Sequence, residues 1–149
     1  MRLPSLCSES ISFTFKLINR ILPCESRLSR ILPGSSSHCK FHCPDSDGNL
    51  EHIFFYCKLS ECVGNWLLNV VKSHDEDATT TSILSLDLTI CEGLIWIIIQ
   101  TLFFIWTKRT KNKRADLQEC LANLSDTTQI LSGTRHEMIA SSITQILLL

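Results

Sequence analysis

The 149-residue chain carries 14 lysines and arginines against 15 aspartates and glutamates. The resulting net charge of −1 excludes a globally basic protein that binds nucleic acid or anionic lipid over its whole surface. Hydrophobic residues make up 44% and charged residues 19% of the chain, a composition typical of a folded domain and not of a disordered segment. Any contact with nucleic acid must therefore come from a local group of basic side chains.

Eight cysteines raise the question of disulfide bonds, which are typical of secreted proteins. The N-terminal segment, residues 1–23, lacks the basic start, unbroken apolar run and small-residue cleavage site of a signal peptide. We therefore expect reduced thiols and a nuclear or cytoplasmic protein that is not secreted. Half of the cysteines lie between Cys39 and Cys62, which favours a metal site over disulfides spread along the chain.

The N-terminal part of the chain predicts two short helices after a loose lead-in at residues 1–10. From Ile11 to Pro23, apolar residues recur at helical spacing, and we expect this stripe to pack against another element. A second short helix carries Arg27 and Arg30 opposite its apolar side and ends at a Pro-Gly pair. The stripe of the first helix comprises Ile11, Phe15, Ile18 and Leu22.

The densest group of potential metal ligands follows these helices. Between the ligands lies the turn sequence PDSDGN, in which Gly48 is expected at a positive φ. Asn49 is expected to cap a short helix that holds His52. This helix must end before Cys57, because the two ligands would otherwise lie about 140° apart around the helix axis. The ligand set, spaced C-x3-C-x8-H-x4-C and suited to tetrahedral Zn²⁺, is Cys39, Cys43, His52 and Cys57.

Neighbouring residues leave the first half of this set open. His42 competes with Cys43, because Cys39 and His42 form a C-x2-H pair of ordinary spacing. His38 and Cys62 are also close enough in sequence to replace a ligand. Reduced cysteines without any metal are the remaining alternative.

Apolar residues recur at helical spacing again between Leu59 and Val71, and we expect Trp66 to lie in the core. The resulting helical zinc-binding module spans residues 11–72. An acidic polar loop at 73–82 follows, without the ligand spacing of a calcium site.

Residues 84–90 alternate between apolar and polar side chains, which predicts a short extended segment or strand. The most apolar run, Gly93–Trp106, then precedes a basic cluster, an arrangement that membrane anchors share. The uncharged part, residues 93–107, has only 15 residues, whereas a spanning helix needs about 20. We therefore favour a buried core helix that continues to Leu124, with a single-pass membrane anchor at 93–106 as the alternative.

A Thr-x-x-Glu capping box at Thr134 and Glu137 predicts the start of a final helix within a helical C-terminal region, residues 83–149. These patterns together predict a mainly α-helical fold. The expected architecture is a small helical domain with a zinc-stabilised Cys/His loop and at most a short strand.

Motifs of several enzyme classes are absent from the sequence. The single tyrosine, Tyr56, is followed by Cys57 and Lys58, so the Tyr-x-Asp-Asp motif of polymerases is missing. No glycine-rich phosphate loop, nucleophile elbow or His-Glu-x-x-His motif occurs either. We therefore expect neither catalysis by this chain alone nor a small-molecule substrate.

The order of these elements resembles the zinc-binding region that follows the reverse transcriptase domain in non-LTR (LINE-like) retrotransposon polyproteins. The resemblance spans Ser12 to Met138 and is weaker downstream of the Cys/His segment. The chain departs from the family pattern in having C-x3-C in place of C-x2-C. The matching residues are Leu22-Pro23, Arg27, Cys39, Cys43, Glu51-His52, Phe54-Phe55 and Cys57.

The resemblance implies a C-terminal fragment of a polyprotein whose full-length form would be an RNA-directed DNA polymerase. It also implies binding to RNA or DNA with low specificity and a partnership with the polymerase domain. An inactive retroelement remnant is an alternative. Phosphate contacts are then expected from the basic residues of the second helix, the Cys/His loop and the basic cluster. These are Arg27, Arg30, Lys40, Lys108, Arg109, Lys111, Lys113 and Arg114.

Overall fold

The computed structural model describes residues 6–132 and 137–148, and over these ranges the chain is mainly α-helical. The only β pairing within them is an isolated antiparallel bridge between His38 and Asp47. The predicted mainly α-helical fold with a Cys/His loop is confirmed. The elements are α1 (Ser8–Ile18), α2 (Glu25–Ile31), a π-helical turn (His52–Tyr56), α3 (Glu61–Lys72), α4 (Thr80–Ser85), α5 (Glu92–Thr110), α6 (Leu117–Ser132) and α7 (Glu137–Leu147).

The core is organised around α5, which is buried on all sides. Trp96, Ile97 and Leu102 are fully buried, and α1, α3, α6 and α7 all pack against this helix. A helix that is apolar all round must be covered all round, which explains why so many elements surround it. The membrane alternative required a spanning helix at 93–106. Within the described ranges, no helix is both long and apolar enough to cross a bilayer.

The predicted apolar stripe of α1 is wrong for three of its four residues. Ile11, Phe15 and Ile18 are exposed, whereas Phe13 and Leu17 are buried. The face that carries Phe13 packs into the core, because three aromatic rings of the π-helical turn and α5 contact the Phe13 ring. These rings belong to Phe54, Phe103 and Trp106. The helix also begins at Ser8, three residues earlier than predicted.

Two phenylalanines on α1 provide a matched test of this arrangement. Phe13→Ala is expected to lower the free energy of unfolding by about 3–5 kcal/mol, because it removes a buried ring. Phe15→Ala, on the exposed face, is expected to change it by less than about 0.5 kcal/mol. Urea denaturation of both variants checks the difference, and equal losses would contradict the observed orientation of the helix.

The extended segment or strand predicted at 84–90 is wrong for its first two residues, which are helical. Residues 80–85 form α4, and only the part after Leu86 is irregular. The Thr79 and Ser82 side chains form a capping box that starts the helix, and Leu86 ends it with a left-handed φ of 54°. Local capping and the burial of Ile83 and Leu84 therefore outweigh the alternating pattern. The acidic loop correspondingly ends at Thr79 and not at residue 82.

The continuous helix predicted from 93 to 124 is interrupted. α5 ends at Thr110, Asn112 adopts a φ of 54°, and α6 begins only at Leu117. The predicted capping residue Thr134 lies outside the described residues. Buried residues of α1, of the π-helical turn and of α3 to α7 form one hydrophobic cluster, so the segments 11–72 and 83–149 contribute to a common core.

Candidate metal centre

Cys39 and Cys43 lie on a loop that folds back on itself after α2. The Cys39 amide donates to the Ser46 carbonyl at 3.0 Å, and the Gly48 amide donates to the Ser37 carbonyl at 2.8 Å. His42 and Asp45 turn the chain with φ values of 57° and 47°. These contacts bring both cysteines to the same side of the loop as the π-helical turn.

The positive φ predicted for Gly48 is wrong, because within the described ranges Gly34 is the only glycine with a positive φ. Gly48 is instead required by close packing. A Cβ at this position would lie 2.5 Å from Oε2 of Glu25, a residue of α2. The glycine therefore lets the loop that carries Cys39 and Cys43 approach α2 closely.

His52 and Cys57 lie at the two ends of the π-helical turn. The Asn49 side chain accepts a hydrogen bond from the His52 amide at 2.8 Å, which confirms the predicted cap. The Cys57 amide donates to the His52 carbonyl at 2.7 Å, five residues back. This wider turn reduces the angular separation that an ordinary α-helix would impose on the two ligands. Cys57 itself is extended, with φ −67° and ψ 136°, so the helix ends before it as predicted.

The four predicted ligands lie together. One ligand atom from each of Cys39, Cys43, His52 and Cys57 lies within 4.8 Å of all the others. The Cys57 sulfur is 3.8 Å from the sulfurs of both Cys39 and Cys43. Two sulfurs bound to one zinc ion at about 2.3 Å with tetrahedral angles are about 3.8 Å apart, so the spacing fits a shared ion. A disulfide would bring the sulfurs to about 2.05 Å, and all eight cysteines, which lie in the described ranges, are free.

The imidazole of His52 is in a suitable state to bind a metal. It is buried, and among the described residues its Nε2 atom has no hydrogen-bond partner. Burial, followed by the nearby positive charge of Arg109, lowers the pKa of His52 despite the opposing effect of Glu25. A neutral ring with an unpaired nitrogen is the form that ligates zinc.

The thiols of the cluster differ in their readiness to ionise. Burial strongly opposes ionisation of Cys39, yet hydrogen bonds from the Phe41 amide and then from Arg109 outweigh it and lower the pKa of Cys39. Burial raises the pKa of Cys57 to about 11, because its charged form would lie next to Cys39 in a desolvated site.

The competing ligands lie outside this cluster. His38 and His42 are exposed. The Cys62 thiol is half-buried and donates to the Ala115 carbonyl at 3.4 Å. The four-residue set therefore contains Cys43 and not His42.

Arg109 departs from its predicted role as a phosphate contact. Its side chain is only 7% exposed and is bonded to Glu25, with Nη2 donating to Oε1 at 2.6 Å. The guanidinium also donates to the Cys57 sulfur at 3.6 Å and to the Cys39 sulfur at 3.9 Å. Arg109 lies within the basic cluster of the sequence, so only tertiary packing distinguishes it from the neighbouring cations.

The other predicted phosphate contacts fall into two groups. Lys108 is paired with Glu119, the ammonium of Lys40 donates to the Arg109 carbonyl at 3.2 Å, and Arg27 donates to the Arg20 carbonyl at 3.4 Å. The remaining four are exposed and form no salt bridge with any described residue: Arg30, Lys111, Lys113 and Arg114.

Lys58 is an exposed cation near the cluster that the sequence analysis missed. The Ala115 amide donates to the Leu59 carbonyl at 2.8 Å, which holds the α5–α6 loop beside the residue after Lys58. Lys58 directly follows Cys57, so its backbone lies beside the candidate metal cluster. Lys58 lies near the α5–α6 loop only because of the contact between Leu59 and Ala115, which are far apart in the sequence. No local sequence pattern indicates such a contact.

Comparisons of this chain with models of protein families, with curated proteins and with solved structures find no match.

Proposed function

We propose that the chain is a zinc-stabilised helical module that binds RNA or DNA through exposed cations beside the zinc site. The observation that carries the proposal is the cluster of three sulfurs and a neutral imidazole within 4.8 Å. Soft thiolate ligands with one imidazole favour zinc over the hard cations calcium and magnesium, which prefer oxygen ligands.

The proposed zinc is structural and not catalytic. Catalytic zinc sites keep one coordination position open for water or substrate, whereas four protein ligands close the coordination sphere. Cys39, His52 and Cys57 are buried, which leaves little access for a substrate. We accordingly propose no enzymatic activity for this chain alone.

The proposed nucleic-acid surface is centred on the α5–α6 loop. Lys111, Lys113 and Arg114 are exposed there without salt bridges to described residues, and Lys58 lies next to the same loop. Contacts between such cations and phosphates are sequence-independent and weaken as salt increases.

We further propose that the module belongs to a non-LTR retrotransposon polyprotein, in which the reverse transcriptase domain would be its partner. The order of the Leu-Pro helix, the arginine-bearing helix and the Cys/His segment supports this origin. A reverse transcriptase supplied separately would then form a complex with this chain.

Metal analysis of purified protein tests the zinc site. Wild type is expected to contain one zinc per chain, and Cys43→Ser is expected to lose it. The matched control is Cys62→Ser, because Cys62 is equally half-buried but lies outside the cluster. His42→Ala is likewise expected to retain zinc. Zinc-free wild type, or zinc retained in Cys43→Ser, would contradict the proposed ligand set.

Filter binding at two salt concentrations tests the nucleic-acid role. Each phosphate contact that is lost reduces the slope of log affinity against log salt by about 0.9 for duplex DNA. Replacing Lys111, Lys113 and Arg114 with Gln is therefore expected to weaken binding at low salt and to flatten the slope by up to about 3. A control variant neutralises Lys16 and Lys72, which are exposed on α1 and α3. Binding unaffected by the triple substitution would reject this surface and leave the zinc site standing.

A further inference from the structure

Arg109 contacts two of the three sulfurs in the metal cluster. Its Nη1 donates to the Cys57 sulfur at 3.6 Å, and its Nη2 donates to the Cys39 sulfur at 3.9 Å. Both sulfurs and the guanidinium are buried. A cationic donor directed at sulfur atoms inside the protein is expected to interact strongly with thiolates, because water screens the charges poorly there.

The guanidinium is held in place from other directions. Glu25 accepts from Nη2 at 2.6 Å, and the ring of Phe41 lies under the guanidinium at 4.8 Å from its centroid. The same Glu25 oxygen accepts from the Lys40 amide at 3.2 Å, which ties the carboxylate to the residue after Cys39. Arg109 is therefore oriented before any metal binds, and little conformational freedom remains to be lost.

Charge balance gives Arg109 a further role. Three thiolates and a neutral imidazole around Zn²⁺ carry one net negative charge, and the buried position of Cys39 and Cys57 makes that charge costly. Arg109 lowers this cost locally, because its N–H groups donate to the two most buried sulfurs, although its partner Glu25 leaves the net charge of the buried group at −1. A guanidinium is not deprotonated in proteins, so the side chain stays charged.

We propose that Arg109 is a positioning residue for zinc: its N–H groups hold and stabilise the Cys39 and Cys57 thiolates and so strengthen zinc binding. This inference rests on the zinc site proposed above. It also links the metal to the central helix of the fold, because Arg109 lies in the last turn of α5.

Competition with a chromogenic chelator measures the effect. Arg109→Met is expected to weaken zinc affinity about 10- to 100-fold, as loss of hydrogen-bond partners to metal ligands commonly does. Arg109→Lys keeps the charge but cannot form the same fork of hydrogen bonds, so we expect partial recovery. The matched control is Lys108→Met, which removes the neighbouring cation. Lys108 is paired with Glu119 and contacts none of the four metal ligands. The zinc affinity of Lys108→Met is therefore expected to stay within about twofold of wild type.

Cobalt substitution gives a readout that a purely structural role would not change. Replacing zinc with Co²⁺ produces sulfur-to-metal charge-transfer bands, and loss of N–H···S bonds in Arg109→Met is expected to shift them. The bands of Lys108→Met are expected to match those of wild type. Unshifted bands in Arg109→Met would contradict direct contact with the bound thiolates.

Arg109→Met leaves the Glu25 carboxylate without its buried partner, which alone can destabilise the fold. The double variant Glu25→Gln/Arg109→Met removes both charges and is expected to recover folding while zinc affinity stays low. Arg109→Lys decides the question if the double variant does not fold. Wild type without zinc would reject the proposed zinc site. One zinc in wild type, together with wild-type affinity in the folded double variant or, if that variant does not fold, in Arg109→Lys, would reject only the role of Arg109.

Discussion

Removal of zinc is expected to lower the melting temperature of the protein by about 10 °C. If free zinc is present at about a thousand times its dissociation constant, binding adds about 4 kcal/mol to the free energy of unfolding. For a chain of this size, each kcal/mol corresponds to about 2–4 °C. Residues 32–49 contain no helix and only one isolated bridge, so we expect their order to depend strongly on the proposed metal.

Thermal unfolding followed by far-UV circular dichroism, with and without a zinc chelator, provides the measurement. The control is chelator already saturated with zinc, which is expected to have no effect. Cys57→Ser is expected to melt at the lower temperature whether or not chelator is present. An unchanged melting temperature after zinc removal from the wild type would show that the packed helices alone determine the stability of the fold.

Gly64→Ala is expected to destabilise the protein by about 1–3 kcal/mol, even though alanine normally favours a helix by about 1 kcal/mol over glycine. A Cβ on Gly64, in α3, would overlap the Phe54 carbonyl oxygen and lie 2.8 Å from the Phe55 Cα. Both atoms belong to the backbone of the π-helical turn, so no side chain can move aside. The turn itself must shift, and it carries His52 and Cys57.

The same substitution is therefore expected to weaken zinc binding as well as folding. Urea denaturation and chelator competition measure the two effects on one preparation. Asn65→Ala is the control, because Asn65 is the next residue of α3 and is exposed. It is expected to change the free energy of unfolding by less than about 0.5 kcal/mol. A stabilised Gly64→Ala variant would mean that α3 and the π-helical turn are not in close contact.

Local patterns predicted much of the site correctly. The spacing of Cys39, Cys43, His52 and Cys57, the cap at Asn49 and the end of the helix before Cys57 all depend on residues close together in the chain. Metal ligands clustered in sequence carry their own geometric constraint, because four of them must reach one point. Sequence spacing could not decide between Cys43 and His42 as a ligand, because that depends on how the loop folds back on itself.

The errors have a common origin in competition between alternative local patterns. In α1, Phe13 and Leu17 form a second apolar pair at helical spacing, and only the surrounding aromatic rings determine which face is buried. In α4, a capping box competes with a strand-like alternation, and the helix prevails. Sequence spacing shows that both local arrangements are possible in each case. Their relative free energies depend on packing against residues that are far away in the sequence.

The amino-acid sequence by itself predicted the helical class, favoured a buried helix for the apolar run of α5 and located the segment that carries the Cys/His cluster. These follow from periodicity and spacing over a few turns of the chain. Only the tertiary structure decided which α1 face is buried, how α3 contacts the π-helical turn, and that Arg109 lies against the sulfurs. Glu25 and Arg109 are 84 positions apart, and a pairing over such a separation leaves no local pattern because it forms only when the whole core packs.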